Sequence, residues 1–129
     1  MTEAQKTILI VEDSPVQATA IGQLLQGNGA RVLYAPDGQT GVFMAQRYLP
    51  DAIILDLEMP GMNGLEACKR LKADPETAGI PVLMLTQYAD RVEPAIGEGK
   101  EGAIDFIPKD DLANTVLVET LRQMHILDA

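Results

Sequence analysis

Five short apolar runs, at residues 8–11, 32–35, 52–55, 82–85 and 104–107, constrain this chain more than any other feature. Most are continuous rather than alternating, the pattern of strands covered on both faces. The segments between them are long enough for helices. Strand–helix alternation repeated five times implies right-handed crossovers, and hence an α/β fold with a parallel sheet and helices on both faces. With 129 residues, 47% of them hydrophobic, the chain can bury one core of ordinary size. In such sheets the functional site lies beyond the carboxyl ends of the strands, where the strand order reverses.

Helix punctuation supports the alternation. Ser14-Pro15-Val16-Gln17 reads as a cap, a proline at the first helical position and a Gln closing a capping box. Val16, Ala20 and Leu24, with Ile21 and Leu25, then form an apolar stripe that stops at Gly27-Asn28-Gly29. Asp37 is placed to cap a second helix that buries Val42, Ala45 and Leu49 and ends before Pro50. Asn63 and Glu66 make a third start, with Leu65, Cys68 and Leu71 on the inner face. The last helix is expected from Asp110 or Asp111, presenting Leu112, Val116, Leu117, Leu121 and Met124. The helix expected between the fourth and fifth runs is weak, because residues 89–102 contain Pro94, Gly97, Gly99 and Gly102. Each interior glycine costs ~1 kcal/mol and a proline ~3. That segment is expected to be short, kinked or frayed, and the first to rearrange.

The residues just past each run carry the chemistry. The first run ends in Glu12-Asp13, the third in Asp56 and the fourth in Thr86, and the fifth leads through Pro108 to Lys109. Alone, each is an ordinary strand end, turn or surface charge. Together they put three carboxylates, a hydroxyl and an ammonium at one edge of the sheet. Clustered carboxylates repel unless a cation joins them, and oxygen-only ligands suit a hard ion such as Mg²⁺. An aspartate beside such an ion can attack a phosphoryl group, with metal and lysine neutralising the transferring oxygens.

From Lys6 to about Met124 the sequence resembles the receiver domains of two-component response regulators. The segments that carry the resemblance are Ile8-Leu9-Ile10-Val11-Glu12-Asp13-Ser14, Asp56-Leu57-Glu58-Met59-Pro60-Gly61-Met62-Asn63-Gly64, Ile80-Pro81-Val82 through Thr86, and Gly102-Ala103 through Lys109. The resemblance implies one receiver domain across 1–129, with the doubly wound, flavodoxin-like five-stranded sheet of that family. It implies Asp56 as phosphoacceptor from a phosphohistidine on a sensor kinase or phosphotransfer protein. Asp13 would bind Mg²⁺ directly, Glu12 mainly through water, and the Glu58 backbone carbonyl would complete the protein ligands. Thr86 would follow the phosphate, Lys109 would pair with it, and Phe106 would be the aromatic that changes rotamer. Such a protein catalyses its own phosphorylation and dephosphorylation, and is a switch rather than a turnover enzyme. The face formed by the fourth helix, fifth strand and fifth helix would serve dimerisation or output.

Three departures from the family pattern stand out: Gln87, Asp110, and the glycine-interrupted fourth helix, which belongs to the face that family members commonly use for output. Gln87 sits where a small residue usually follows the threonine. Glu58 and Tyr88, two residues after Asp56 and Thr86, are placed to screen the phosphoryl group from water, and with Gln87 are expected to slow hydrolysis. Asp110 replaces the usual proline, whose peptide bond is cis in the family. Before a non-proline residue the cis form costs ~2.5–4 kcal/mol, against ~0.5–1 before proline, so a trans bond is expected with Lys109 still reaching Asp56.

Rival functions are a pseudo-receiver that binds partners without phosphorylation, an aspartyl-nucleophile phosphohydrolase and a flavin carrier. The phosphohydrolases carry nucleophile and acid two apart on their first strand, whereas Asp56-Leu57-Glu58 follows the third. A flavin carrier needs a phosphate cradle after the first strand, where Glu12-Asp13 would repel it. A net charge of −9 disfavours direct nucleic-acid binding. No apolar run approaches the ~20 residues of a membrane span, the N-terminus lacks a secretory signal, and the lone Cys68 excludes an internal disulfide, so a cytoplasmic location is expected. Cys68 reads as core and His125 as an exposed terminal residue. After the last helix only residues 126–129 remain, which leaves a free-standing receiver or one cut from a longer chain.

Overall fold

The computed structural model describes residues 5–59, 61–86, 105–110 and 112–127. The weak helix expected within 89–102, and Gln87 and Tyr88 before it, lie outside these residues. Five strands form one sheet: β1 (Thr7–Val11), β2 (Arg31–Ala35), β3 (Ala52–Asp56), β4 (Val82–Thr86) and β5 (Asp105–Pro108). All neighbours pair in parallel, in the order β2-β1-β3-β4-β5. The order reverses between β1 and β3, so the crevice expected of a doubly wound sheet opens at their carboxyl ends. The helices among the described residues are α1 (Pro15–Gly27), α2 (Gly38–Tyr48), α3 (Gly64–Ala73) and α4 (Ala113–Gln123).

Strand alternation splits the core in two. Ile8, Ile10, Ile54, Leu83, Leu85 and Ile107 face Ile21 and Leu25 of α1 and Leu117 and Leu121 of α4. Leu9, Val11, Ile53, Leu55, Val82 and Met84 face Val42 and Ala45 of α2 and Ala67, Cys68 and Leu71 of α3. Every residue of β3 and β4 is buried, as continuous apolar runs predict. The edge strand β2 departs from that reading: paired with a neighbour, β1, on one side only, it leaves Arg31 and Tyr34 exposed. No described helix is long and apolar enough to cross a membrane.

The caps form where expected, with one difference. Ser14 Oγ accepts from Gln17 N–H at 3.3 Å, Asp37 Oδ1 from Thr40 N–H at 2.7 Å and Asn63 Oδ1 from Glu66 N–H at 2.9 Å. The Ser14 N–H, however, donates to Glu12 Oε1 at 3.1 Å, so the acid before the helix takes the role assigned to Gln17.

Three apolar faces are corrected. The phase that Ser14 and Pro15 set on α1 buries Ala18, Ile21, Gly22 and Leu25, leaving Val16 79% exposed and Ala20 exposed. Leu49 is exposed because the residue before Pro50 is pushed out of the helical region. It ends α2 in the left-handed region at φ 46°, while its N–H still donates to Ala45 O at 2.9 Å. In α4 the inward face is Leu117, Val118 and Leu121, and both Leu112 and Val116 are exposed. The helix starts later than expected, at Ala113, with Leu112 at its N-cap and no side-chain cap bond; Asp110 Oδ1 accepts from Leu112 N–H at 2.9 Å in the turn ahead of it, which holds Leu112 outside the helix.

The turn after β3 brings α3 back onto the strand end. Gly61 has φ +73°, a conformation that side chains disfavour, and Gly64 N–H donates to Leu57 O at 3.0 Å. A Cβ on Gly64 would stand 2.5 Å from Asp56 O and 2.7 Å from Leu57 Cα, both backbone atoms. Gly64→Ala is therefore expected to destabilise the fold by about 1–3 kcal/mol, because the helix must back away from the strand. Urea unfolding checks this; an unchanged midpoint would mean that the approach is not tight in solution.

Candidate functional site

Each strand of the crevice delivers one group. Glu12 follows β1 and continues its pairing, donating its N–H to Ala35 O at 3.0 Å. Asp13 comes next and is exposed. Asp56 is the last residue of β3 and Thr86 the last of β4, and Lys109 follows β5 with its N–H on Thr86 O at 3.0 Å. Glu12 is 4% exposed and Asp56 2%. One carboxylate oxygen from each of Glu12, Asp13 and Asp56 lies within 4.8 Å of the others.

Lys109 Nζ donates to Asp56 Oδ1 at 2.6 Å and lies 3.6 Å from Glu58 Oε1. Glu58 N–H also donates to Asp56 Oδ1, at 3.1 Å. Both bonds fall on one oxygen. The peptide bonds of the described residues are all trans, Lys109–Asp110 included, and the lysine reaches Asp56 as expected. Burial alone would lower the lysine's pKa, but its hydrogen bond to Asp56 and the charges of Asp56, Glu12 and Glu58 hold it above the ordinary value.

Glu12 carries the electrostatic cost of this gathering. Burial pushes its pKa up to about 7; the Ser14 N–H opposes that, the adjacent Asp56 carboxylate adds to it and Lys109 offsets a part. Its Oε2 is buried without a hydrogen-bond partner. A buried anionic oxygen in that state requires a proton or a cation. The orphaned oxygen and the oxygen-only donor set together fit a hard divalent ion.

The structure therefore brings together Glu12, Asp13, Asp56, Glu58, Thr86 and Lys109. Phe106 stands apart on β5, half-buried, paired with Met84 and packed on the α2–α3 side of the core. The sequence leads one to expect of Glu58 a backbone carbonyl for the metal and a side chain that screens the phosphoryl group. Its carboxylate in fact accepts from the fully buried Thr86, Oγ1 to Oε2, at 2.5 Å. Glu58 standing two residues past Asp56 was the available signal, but the partner lies 28 residues away on another strand.

The chain is similar to known proteins in sequence and in fold. The family model described as the response regulator receiver domain matches residues 8–122. Protein PilH of Pseudomonas aeruginosa is 36% identical over 110 residues, which cover 85% of this chain and 90% of that one. The response regulator PleD of Caulobacter vibrioides is 37% identical over 122 residues, 93% of this chain but 27% of PleD. Among solved structures, Vibrio cholerae chemotaxis protein CheY4 superposes with a TM-score of 0.84 at 30% identity, covering 93% of this chain and 98% of that one. The receiver domain of sensor histidine kinase PA1611 from Pseudomonas aeruginosa, solved with magnesium in its active-site cleft, gives a TM-score of 0.82 at 30% identity, with 93% and 97% covered. The chain belongs to the response regulator receiver family of two-component systems.

Proposed function

We propose that this receiver takes a phosphoryl group onto Asp56 from a phosphohistidine and changes conformation to signal to a partner. The observation that carries the reading is the 2.6 Å bond from Lys109 to the buried carboxylate of Asp56, only 2% exposed, beside the carboxylates of Glu12 and Asp13. An aspartate used only for structure would not need two further carboxylates at its edge.

The residues divide the work. An Asp56 carboxylate oxygen attacks phosphorus; the new O–P bond forms as the N–P bond to the donor imidazole breaks. Lys109 neutralises charge on the phosphoryl oxygens, and the Thr86 hydroxyl donates to one of them once transfer is complete. Asp13, Asp56 and the Glu58 carbonyl would hold Mg²⁺ directly, with Glu12 acting mainly through water. When bound, that ion supplies further neutralisation of the transferring oxygens. Phe106, beside Met84 on the next strand, would follow Thr86 as the second moving part. The same reading takes residues 6–124 as one receiver unit in the cytoplasm. Its donor is a sensor kinase or phosphotransfer protein, and its output passes through the β5 and α4 side to a second copy or an output domain.

The test is intact-protein mass spectrometry after incubation with Mg²⁺ and acetyl phosphate or a phosphorylated kinase. One phosphoryl adduct is expected. None under either donor would replace this reading with a binding module that shares the fold but not the chemistry.

A further inference from the structure

The groups that should grip a phosphoryl group are already engaged. The Thr86 hydroxyl donates to Glu58 Oε2 at 2.5 Å, and the Lys109 ammonium lies 3.6 Å from Glu58 Oε1. Both oxygens of one carboxylate thus meet the hydroxyl and the ammonium flanking Asp56. A carboxylate presents two anionic oxygens, as a phosphoryl group presents three, so it can stand in for part of one.

We propose that Glu58 is an internal stand-in for the phosphoryl group, a latch that holds Thr86 and Lys109 in the resting state and must let go on phosphorylation. The proposal rests on the phosphoacceptor reading above. Three observations carry it. Glu58 N–H donates to Asp56 Oδ1 at 3.1 Å, which pins the base of the side chain beside the acceptor. Thr86 is fully buried, so its hydroxyl has no access to bulk water as an alternative partner. Glu58 keeps 31% of its side chain exposed, so on release the carboxylate can swing into solvent without being buried elsewhere. An arriving phosphoryl group therefore meets a competitor that is both correctly placed and able to leave.

A latch makes a different prediction from plain charge repulsion. Repulsion by Glu58 would weaken anion binding whether or not Thr86 had its hydroxyl. A latch acts partly through that hydroxyl. The probe is beryllium trifluoride with Mg²⁺, titrated calorimetrically, with acetyl phosphate labelling in parallel. Glu58→Ala is expected to bind the fluoride about tenfold more tightly than wild type, the scale of one charge-assisted hydrogen bond in a half-exposed setting. Glu58→Gln, which can still accept from Thr86, is expected to gain less. In a Thr86→Val background the gain from Glu58→Ala is expected to shrink to about threefold or below, since one of the two holds is already gone. NMR of the Thr86 methyl group without any donor supplies a second readout: one rotamer in wild type, an averaged pair in Glu58→Ala.

Uptake by wild type with unchanged affinity in Glu58→Ala would overturn the latch alone. An equal gain with and without the Thr86 hydroxyl would reduce Glu58 to a repulsive charge and overturn it too. A wild type that takes up neither fluoride nor phosphoryl would overturn the phosphoacceptor reading, and the latch with it.

Discussion

Asp56→Asn is expected to take up no phosphoryl group under conditions in which the wild type is labelled once. The amide lacks the anionic oxygen that attacks phosphorus, and it also removes one of the three carboxylates that gather at the crevice. Loss of the adduct should be complete rather than partial, because Asp56 alone combines burial, the Lys109 bond and a place within the cluster. The fold should survive: asparagine is isosteric, and its carbonyl oxygen can still accept from Lys109 and from Glu58 N–H. Mass spectrometry of the intact variant, with circular dichroism to confirm folding, checks both halves. An adduct persisting in Asp56→Asn would move the acceptor to another acid of the crevice, Asp13 being nearest to solvent.

Glu12 should make stability depend on pH in an unusual direction. Its folded pKa of about 7 lies above the ordinary 4.5, so the folded protein holds this proton more tightly than the unfolded chain does. The contribution is fully present below about pH 4.5 and is lost as pH rises through about 7. At 1.36 kcal/mol per pKa unit the loss is on the order of 3 kcal/mol. Lys109, raised from a value already near 10.5, stays charged throughout this window and adds no slope. Mg²⁺ competes with the same proton, so saturating Mg²⁺ should restore stability at about pH 8 and add little at about pH 5. Urea unfolding at both pH values, with and without Mg²⁺, measures this, and Glu12→Gln should remove most of the pH-dependent difference. Equal stabilisation by Mg²⁺ at both values would show that the ion does not replace a proton on Glu12.

Much of this could be read from the chain because the relevant signals are local. A buried parallel strand is a continuous apolar run, and the site residues stand directly past such runs: Glu12, Asp56, Thr86 and Lys109 were placed by counting. What resisted reading depends on rotation or reach. Val16 looks like part of an apolar stripe until Ser14 and Pro15 fix where α1 begins, and Leu112 until Asp110 holds it ahead of α4. Leu49 fits the α2 pattern by spacing, yet Pro50 ends the helix first. The Thr86–Glu58 bond joins two strand ends through side-chain rotamers, on which the sequence is silent. Gly64 could be seen in the motif, but its reason, a helix start pressed onto the Asp56 backbone, is purely spatial.

The backbone links across the crevice have a mechanical consequence. Leu57 N–H donates to Leu85 O at 2.9 Å, and Lys109 N–H donates to Thr86 O at 3.0 Å. The main chain just past the acceptor is therefore fastened to β4, and the lysine's own main chain is fastened to the threonine's. Neither jaw can travel alone without breaking a main-chain hydrogen bond in a largely dry setting. A pull on the Thr86 backbone is handed directly to Lys109, and a displacement of the β5 end is handed back to Thr86. The ends of β4 and β5 are thus tied through the main chain as well as through the side chains that flank Asp56.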